Sequence, residues 1–225
     1  MTLAKIKDKI HSHLYEVLEK EGIKELRPCQ TKSIDAGLLE GKNLLVCTPT
    51  ASGKTLVAEL AILNTLLNGS RNKKAVYIVP LKALASEKFK DFKRKYAHLI
   101  RIALSIGDLD SSDPYLSNYD LIICTSEKFD SLIRHHAPWL NSVSVVIVDE
   151  IHLLNDPGRG PTLEILITML RQIIANLQIV ALSATIGNPE ELAKWLNAFP
   201  VIDDWRPVKL SKGIFIENRI EFVNE

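Results

Sequence analysis

Residues 43–55 read Asn43-Leu44-Leu45-Val46-Cys47-Thr48-Pro49-Thr50-Ala51-Ser52-Gly53-Lys54-Thr55, and this stretch decides the fold. It opens on an apolar run, Asn43 to Cys47, that suits a buried strand, turns through a short polar loop, and continues into a helical pattern from Lys54 to Leu67. Strand, loop and helix in this order are what a phosphate-binding loop requires. The backbone N–H groups of Thr48, Pro49, Thr50, Ala51, Ser52 and Gly53, so far as each carries one, are placed to wrap a triphosphate, and the first helical turn adds unpaired donors and its positive dipole end. Gly53 keeps side-chain atoms away. Lys54 brings a mobile charge for the β- and γ-phosphates, and the Thr55 hydroxyl is placed to coordinate Mg²⁺. The first position is Thr48, where the general motif has glycine.

Working outward, short apolar runs alternate with helical patterns. The runs are Asn43 to Cys47, Ala75 to Val79, Ile102 to Ile106, Leu121 to Cys124, Val143 to Val148 and Ile179 to Leu182. The helical patterns are Lys54 to Leu67, Ala83 to Tyr96, Glu127 to His135, Leu163 to Ile174 and Pro189 to Asn197. Such alternation predicts an α/β domain, a parallel sheet with helices on both faces. Val145-Val146-Ile147-Val148 is continuously apolar, as a strand covered on both sides must be. Ahead of this unit, apolar residues at Ile6, Ile10, Leu14, Val17 and Leu18 predict an N-terminal helix over Leu3 to Leu18, stopped by Gly22. Beyond Trp205 the pattern changes to an extended run from Pro207 to Ile216 and a charged end.

The run Val143 to Val148 ends in Asp149-Glu150-Ile151-His152. Two carboxylates at the end of a buried parallel strand lie where ligands gather in open α/β sheets. A magnesium ion offsets the cost of burying Asp149, and Glu150 can orient and deprotonate an attacking water.

Composition sets outer bounds. The chain has 225 residues, 46% hydrophobic and 24% charged, enough for one sizeable core. Lys plus Arg number 28 against 27 Asp plus Glu, so overall charge gives no argument for a polyanion and any nucleic-acid site must be local. Cys29, Cys47 and Cys124 are widely spaced without paired-cysteine spacing or a partner histidine and read as core thiols of a reducing compartment. No apolar stretch approaches the ~18 residues of a membrane span, and the Lys-rich start lacks a signal-peptide core. The expectation is an intracellular location without a membrane.

With the phosphate loop and Asp149-Glu150-Ile151-His152 in place, the chain resembles the DExH-type superfamily 2 helicases over nearly its whole length. The resemblance implies a RecA-like P-loop NTPase domain that binds ATP and Mg²⁺. It implies that Gln30, in Leu26-Arg27-Pro28-Cys29-Gln30, reads the adenine edge, which suits an amide with both donor and acceptor. Ser183-Ala184-Thr185 resembles the third motif, and by the same resemblance Ser183, Thr185 and His152 couple the nucleotide to strand movement. Pro80-Leu81-Lys82-Ala83-Leu84 resembles motif Ia and Thr125-Ser126-Glu127-Lys128 motif Ib, so Pro80, Lys82, Thr125, Ser126 and Lys128 are expected to hold single-strand phosphates, contacts that position without reading sequence. Gly107-Asp108 belongs to the same face in the family. The basic residues from Lys88 to Lys95, interrupted by Asp91, read as a solvated helix face. Trp139, Trp195 and Trp205 are available for base stacking, with Trp195 better placed in a core.

Arg159-Gly160-Pro161-Thr162-Leu163-Glu164 and Trp205-Arg206-Pro207-Val208 resemble the branch of archaeal HelQ-like repair helicases and exosome and spliceosomal RNA helicases. Short loops favour the archaeal DNA enzymes. The implied activity is ATP-driven 3′ to 5′ translocation on one strand and duplex opening at single-stranded or forked DNA, with RNA left open because backbone contacts look alike in sequence. The expected organisation is an N-terminal helix at 1–25, a RecA-like domain at 26–206 and a connector at 207–225 toward a second RecA-like domain that carries the arginine fingers. Two other readings remain: a small P-loop kinase or transport ATPase, which leaves Gln30, His152 and Ser183 to Thr185 unexplained, and a binding module without catalysis.

Overall fold

A computed structural model describes residues 1–69, 72–107, 112–216 and 219–222. In chain order the elements are α1 (Ser12–Lys20), α2 (Pro28–Asp35), β1 (Leu44–Cys47), α3 (Lys54–Asn68), β2 (Lys74–Val79), α4 (Lys82–Tyr96), β3 (Ile102–Ser105), β4 (Leu121–Thr125), α5 (Ser126–Arg134), β5 (Val143–Val148), α6 (Gly160–Ile173), β6 (Gln178–Ser183), α7 (Pro189–Leu196), β7 (Phe199–Ile202), β8 (Gly213–Ile216) and β9 (Arg219–Phe222). Among the described residues β1 to β7 make one parallel sheet in the order β3-β4-β2-β5-β6-β1-β7.

Alternate residues of each strand feed opposite faces. Leu44, Val46, Tyr77, Ile123 and Ile147 pack with α1 to α4, whereas Leu45, Cys47, Ile78, Cys124 and Val148 pack with α5 to α7. The chain moves one way along the sheet through α3 and α4 and back through α5, α6 and α7. Right-handed crossovers then put the two sets of helices on opposite faces, as the alternation in sequence implies. Helix α3 is buried at every position from Leu56 to Leu63, the mark of a helix covered on several sides. The polar member of that run, Glu59, accepts hydrogen bonds from Tyr96 Oη at 2.9 Å and Lys95 Nζ at 2.9 Å.

The six expected strands lie where the sequence puts them, and β7 is an additional edge strand. The N-terminal helix does not run unbroken. A 3₁₀ segment, Leu3–Lys9, ends at Ile10 in extended backbone, and α1 starts anew at Ser12 with the His11 ring accepting from the His13 N–H at 3.3 Å. The first residues are tied down by Leu3 N–H to Lys24 at 2.9 Å and Leu26 N–H to Met1 at 2.8 Å. Two short pieces therefore bury the apolar stripe that one helix was expected to bury. Pro28 opens α2, and α6 starts at Gly160, where a Cβ would stand 2.1 Å from the Leu154 carbonyl oxygen. The extended run after Pro207 ends in β8, which pairs antiparallel with β9. Among the described residues no helix is long and apolar enough to cross a membrane.

Candidate nucleotide and strand site

Parallel strands present their C-terminal ends on one edge, and the loops beyond β1, β5 and β6 meet there. β6 lies between the other two, so the phosphate loop and the acid pair are one strand apart. The loop is shaped by two positive φ angles, 64° at Ala51 and 102° at Gly53. Thr48 and Ser52 hydroxyls meet at 2.7 Å, and the loop enters α3 directly after Gly53. A side chain at Gly53 is excluded twice, by its φ and by Gln30, whose Nε2 would lie 2.4 Å from a Cβ.

Lys54 folds back over this loop, donating to the carbonyls of Thr48 at 2.6 Å and Pro49 at 3.1 Å. Burial lowers its pKa, and the charges of Glu150 and Asp149 oppose that shift. The acid pair therefore acts electrostatically on the loop lysine, as a shared site demands.

At the end of β5, Glu150 adopts a left-handed conformation, φ 53°. Such a conformation in a residue other than glycine costs roughly 1–3 kcal/mol and persists where its surroundings impose it. Asp149 is held from both sides: Oδ2 accepts from Tyr77 Oη at 2.9 Å and Oδ1 from the Glu150 N–H at 3.1 Å. Lys88 of α4 reaches into the same place. Its ammonium donates to Thr55 Oγ1 at 3.1 Å and stands 4.0 Å from Asp149 Oδ2. Thr55 and Asp149 thus converge on one position that accepts positive charge. Hard oxygen donors on a part-buried cation position fit magnesium. Among the described residues no group of three or more His, Cys, Asp or Glu forms a protein-only cage, and magnesium characteristically needs few protein ligands beside substrate phosphates.

A cleft of about 640 Å³ opens beside the loop, bounded by Arg27, Gln30, Gly53, Thr55 and Glu59. Gln30 is 4% exposed. Its Nε2 donates to the Gly53 carbonyl at 3.0 Å and its Oε1 accepts from the Arg27 N–H at 2.8 Å. The amide therefore holds the loop to α2, with one N–H and one lone pair left for anything else. The Arg27 guanidinium donates to the Ala51 carbonyl at 2.5 Å and lies 5.6 Å from the Trp205 ring centre.

The remaining expected residues divide. His152 Nδ1 lies 3.3 Å from Glu150 Oε2. Ser183 Oγ is buried without a hydrogen-bond partner among the described residues, and Thr185 is exposed just beyond β6. Pro80 and Ser126 share a small cleft with Asp149, Glu150 and Arg159, and Lys82 is exposed at the start of α4. Thr125 and Lys128 need correction as strand contacts. Thr125 is 5% exposed and caps α5 by accepting from the Lys128 N–H at 3.4 Å; Lys128 is 2% exposed, its ammonium 3.0 Å from Asp113. Neither presents its side chain at the surface in this arrangement, and Ser126, 4% exposed, is open only to the small cleft beside Asp149. Trp139 is also buried, stacked on Phe129 with ring centres 6.3 Å apart, and Asp108 lies outside the described residues. All three cysteines are free and buried.

Lys88, Tyr77 and Arg27 carry site contacts that the sequence reading missed. Lys88 had a detectable signal. It shares the helical stripe of Ala85, Phe92 and Tyr96, all fully buried, so it is a charge on an apolar face and belongs to no solvated one.

Comparison with known proteins agrees with this geometry. The DEAD/DEAH box helicase family matches residues 27–192. The chain is 59% identical over 216 residues to the ATP-dependent DNA helicase Hel308 of Methanocaldococcus jannaschii, covering 94% of this chain and 18% of the relative. It is 54% identical over 209 residues to Hel308 of Pyrococcus horikoshii, covering 93% of this chain and 28% of that one. It therefore spans well under a third of these relatives. Among solved structures, the DUF1998 helicase MrfA bound to DNA and AMPPNP superposes with a TM-score of 0.74 at 25% identity, over 87% of this chain and 29% of that one. On fold, motif positions and family match together, this chain belongs to the DEAD/DEAH box helicases and is a RecA-like domain of superfamily 2.

Proposed function

We propose that the chain is the first motor domain of an ATP-dependent DNA helicase that translocates 3′ to 5′ on one strand and opens duplexes. The observation that carries the proposal is the convergence of Thr55 and Asp149, from loops beyond two different strands, on one cation position. ATP would lie with its phosphates along Thr48 to Thr55 and its nucleoside toward the cleft beside Gln30. Lys54 would leave the Thr48 and Pro49 carbonyls for the phosphates. Thr55 and Asp149 would hold magnesium, which when bound neutralises charge developing on the transferred phosphoryl group. Glu150 takes a proton from the attacking water at its carboxylate oxygen. His152, Ser183 and Thr185 carry the change to the strand side, where Pro80, Lys82 and Ser126 meet phosphates.

Residues 26–206 form the motor unit, 1–25 buttress it, and 207–225 lead toward a second RecA-like domain. The relatives bear the name Hel308 and come from archaea, which supports the archaeal DNA branch and, through it, the HelQ-like repair helicases. The DNA helicase names of these relatives support single-stranded or forked DNA over RNA as partner, and with it a location beside DNA inside the cell.

The test is ATP turnover by the chain joined to its second domain, with DNA or RNA single strands added. DNA should stimulate more than RNA, and Lys54→Ala and Glu150→Gln should each abolish the stimulated rate. Equal turnover with Lys54→Ala defeats the phosphate assignment; stimulation by RNA alone defeats the substrate. An arginine finger is worth roughly 10³ to 10⁵ in rate, so these 225 residues by themselves should hydrolyse slowly and unwind nothing.

A further inference from the structure

Lys88 sits on α4, a helix that contributes nothing to the phosphate loop or to the acid pair. Its ammonium nevertheless lies 3.1 Å from Thr55 Oγ1, 4.0 Å from Asp149 Oδ2 and 5.9 Å from the centre of the Tyr77 ring, whose hydroxyl donates to that same carboxylate oxygen. The surroundings are built for a cation: a hydroxyl oxygen, a carboxylate and the face of an aromatic ring. The Lys88 and Asp149 side chains are 18% and 14% exposed, so solvent screens the pair only in part, and a path out remains. A lysine stem is long and flexible enough to take it.

We propose that the Lys88 ammonium and a divalent cation are alternative occupants of this one position, Lys88 serving as a resident counter-charge that metal must displace. The inference rests on the reading of Thr55 and Asp149 as metal ligands. An ammonium this close to Asp149 repels a dication arriving at the same oxygens and so cancels part of the carboxylate's attraction for it. Lys88 therefore lowers the affinity of the site for free metal, while giving the Asp149 carboxylate a counter-charge beside its two hydrogen-bond donors. Metal that arrives with a nucleotide brings phosphate charge to offset the repulsion, so the lysine discriminates against bare cations and in favour of the metal–nucleotide complex. Lys88 is thus a positioning residue for the cation. Its removal should alter the preference between the two forms of metal, which loss of a merely structural contact would not do.

The experiment is a titration of the chain with Mn²⁺ followed by electron paramagnetic resonance, without nucleotide and with ADP. Lys88→Met should bind bare Mn²⁺ roughly threefold to tenfold more tightly than the native chain, the range expected for losing one like charge at a partly screened site. Its gain with ADP present should be smaller. Lys88→Arg keeps the charge and should stay near the native value. Lys88→Gln keeps a donor for Thr55 without the charge and serves if the methionine variant fails to fold. Asp149→Asn combined with Lys88→Met should cancel the gain. Unchanged or weaker Mn²⁺ binding by both uncharged variants, with native Mn²⁺–ADP binding still dependent on Asp149, overturns the role of Lys88 alone. Native Mn²⁺–ADP binding that is indifferent to Asp149→Asn overturns the metal assignment and this inference with it.

Discussion

The side-chain amide of Gln30 donates to the carbonyl of Gly53 at 3.0 Å, fastening α2 to the last residue of the phosphate loop. Loss of this amide should therefore act on the loop before it acts on any base. The Gly53 carbonyl keeps the Leu56 N–H at 3.2 Å, so what is lost is one net hydrogen bond, about 1 kcal/mol, and the tether of the loop. Gln30→Ala should lower the melting temperature and weaken ATP and GTP binding to a similar degree, by on the order of tenfold, in displacement of a fluorescent nucleotide. A loss confined to ATP would instead make Gln30 a reader of adenine. Gly53→Ala should be worse than Gln30→Ala, because its Cβ meets the same amide and its φ disfavours any side chain.

Tyr77 orients Asp149 from the neighbouring strand. Partners that hold a metal-binding group in place commonly change metal affinity by tenfold or more when removed. Tyr77→Phe should raise the Mn²⁺ concentration needed for half-maximal nucleotide-dependent metal binding by about tenfold, with a stability loss of only about 1 kcal/mol by thermal denaturation. Unaltered metal dependence would reduce the tyrosine to packing.

Lys128 and Asp113 form a buried pair at 3.0 Å. Asp113 also accepts from the Ser105 hydroxyl at 3.1 Å, so breaking this buried ion pair should cost about 3 kcal/mol, the low end for such pairs. Lys128→Met should accordingly destabilise the chain by that order in urea unfolding. Lys82→Ala, exposed at the start of α4, should leave stability unchanged and reduce the salt dependence of single-strand binding by about one unit of slope. The reverse pattern would return Lys128 to the strand.

The thiols of Cys29, Cys47 and Cys124 are all pushed up in pKa, burial being the main cause in each. Their thiolate fraction at pH 8 is then below that of an ordinary cysteine, and access is closed as well. Iodoacetamide at pH 8 should label none of them in the folded chain and all three in denaturant, as counted by intact mass. Rapid labelling of Cys29 in the folded chain would mean that α2 lifts from the loop, since its Sγ lies 3.3 Å from the Ser52 carbonyl.

The sheet was legible because strands covered on both faces leave uninterrupted apolar runs, as Val145 to Val148 does, and because strand, loop and helix are contiguous around Gly53. What sequence could not supply was direction. Lys88 and Lys128 look alike as basic residues beside acidic ones, yet one points to Asp149 and the other to Asp113, a choice made by helix packing at long sequence separation. The break at Ile10 was hidden for a related reason. Both halves keep the apolar spacing, and the tie between Leu3 and Lys24, which forces the turn, is not local. β7 escaped notice because Pro200 interrupts its short apolar run, Phe199-Pro200-Val201-Ile202, and a proline is admitted to a strand mainly on a sheet edge, which only the pairing with β1 reveals.

Through β6, the registers of β1 and β5 are geared together: Ala181 is opposite Leu45 on one side and Val148 on the other. Slippage by a single residue would send every side chain of a strand to the opposite face and into the wrong core, so the frame cannot stretch to open its own jaws. In the proposed motor cycle, what travels is then left to loops, the side chains of α4, or the entire unit swinging as a rigid body against its neighbour.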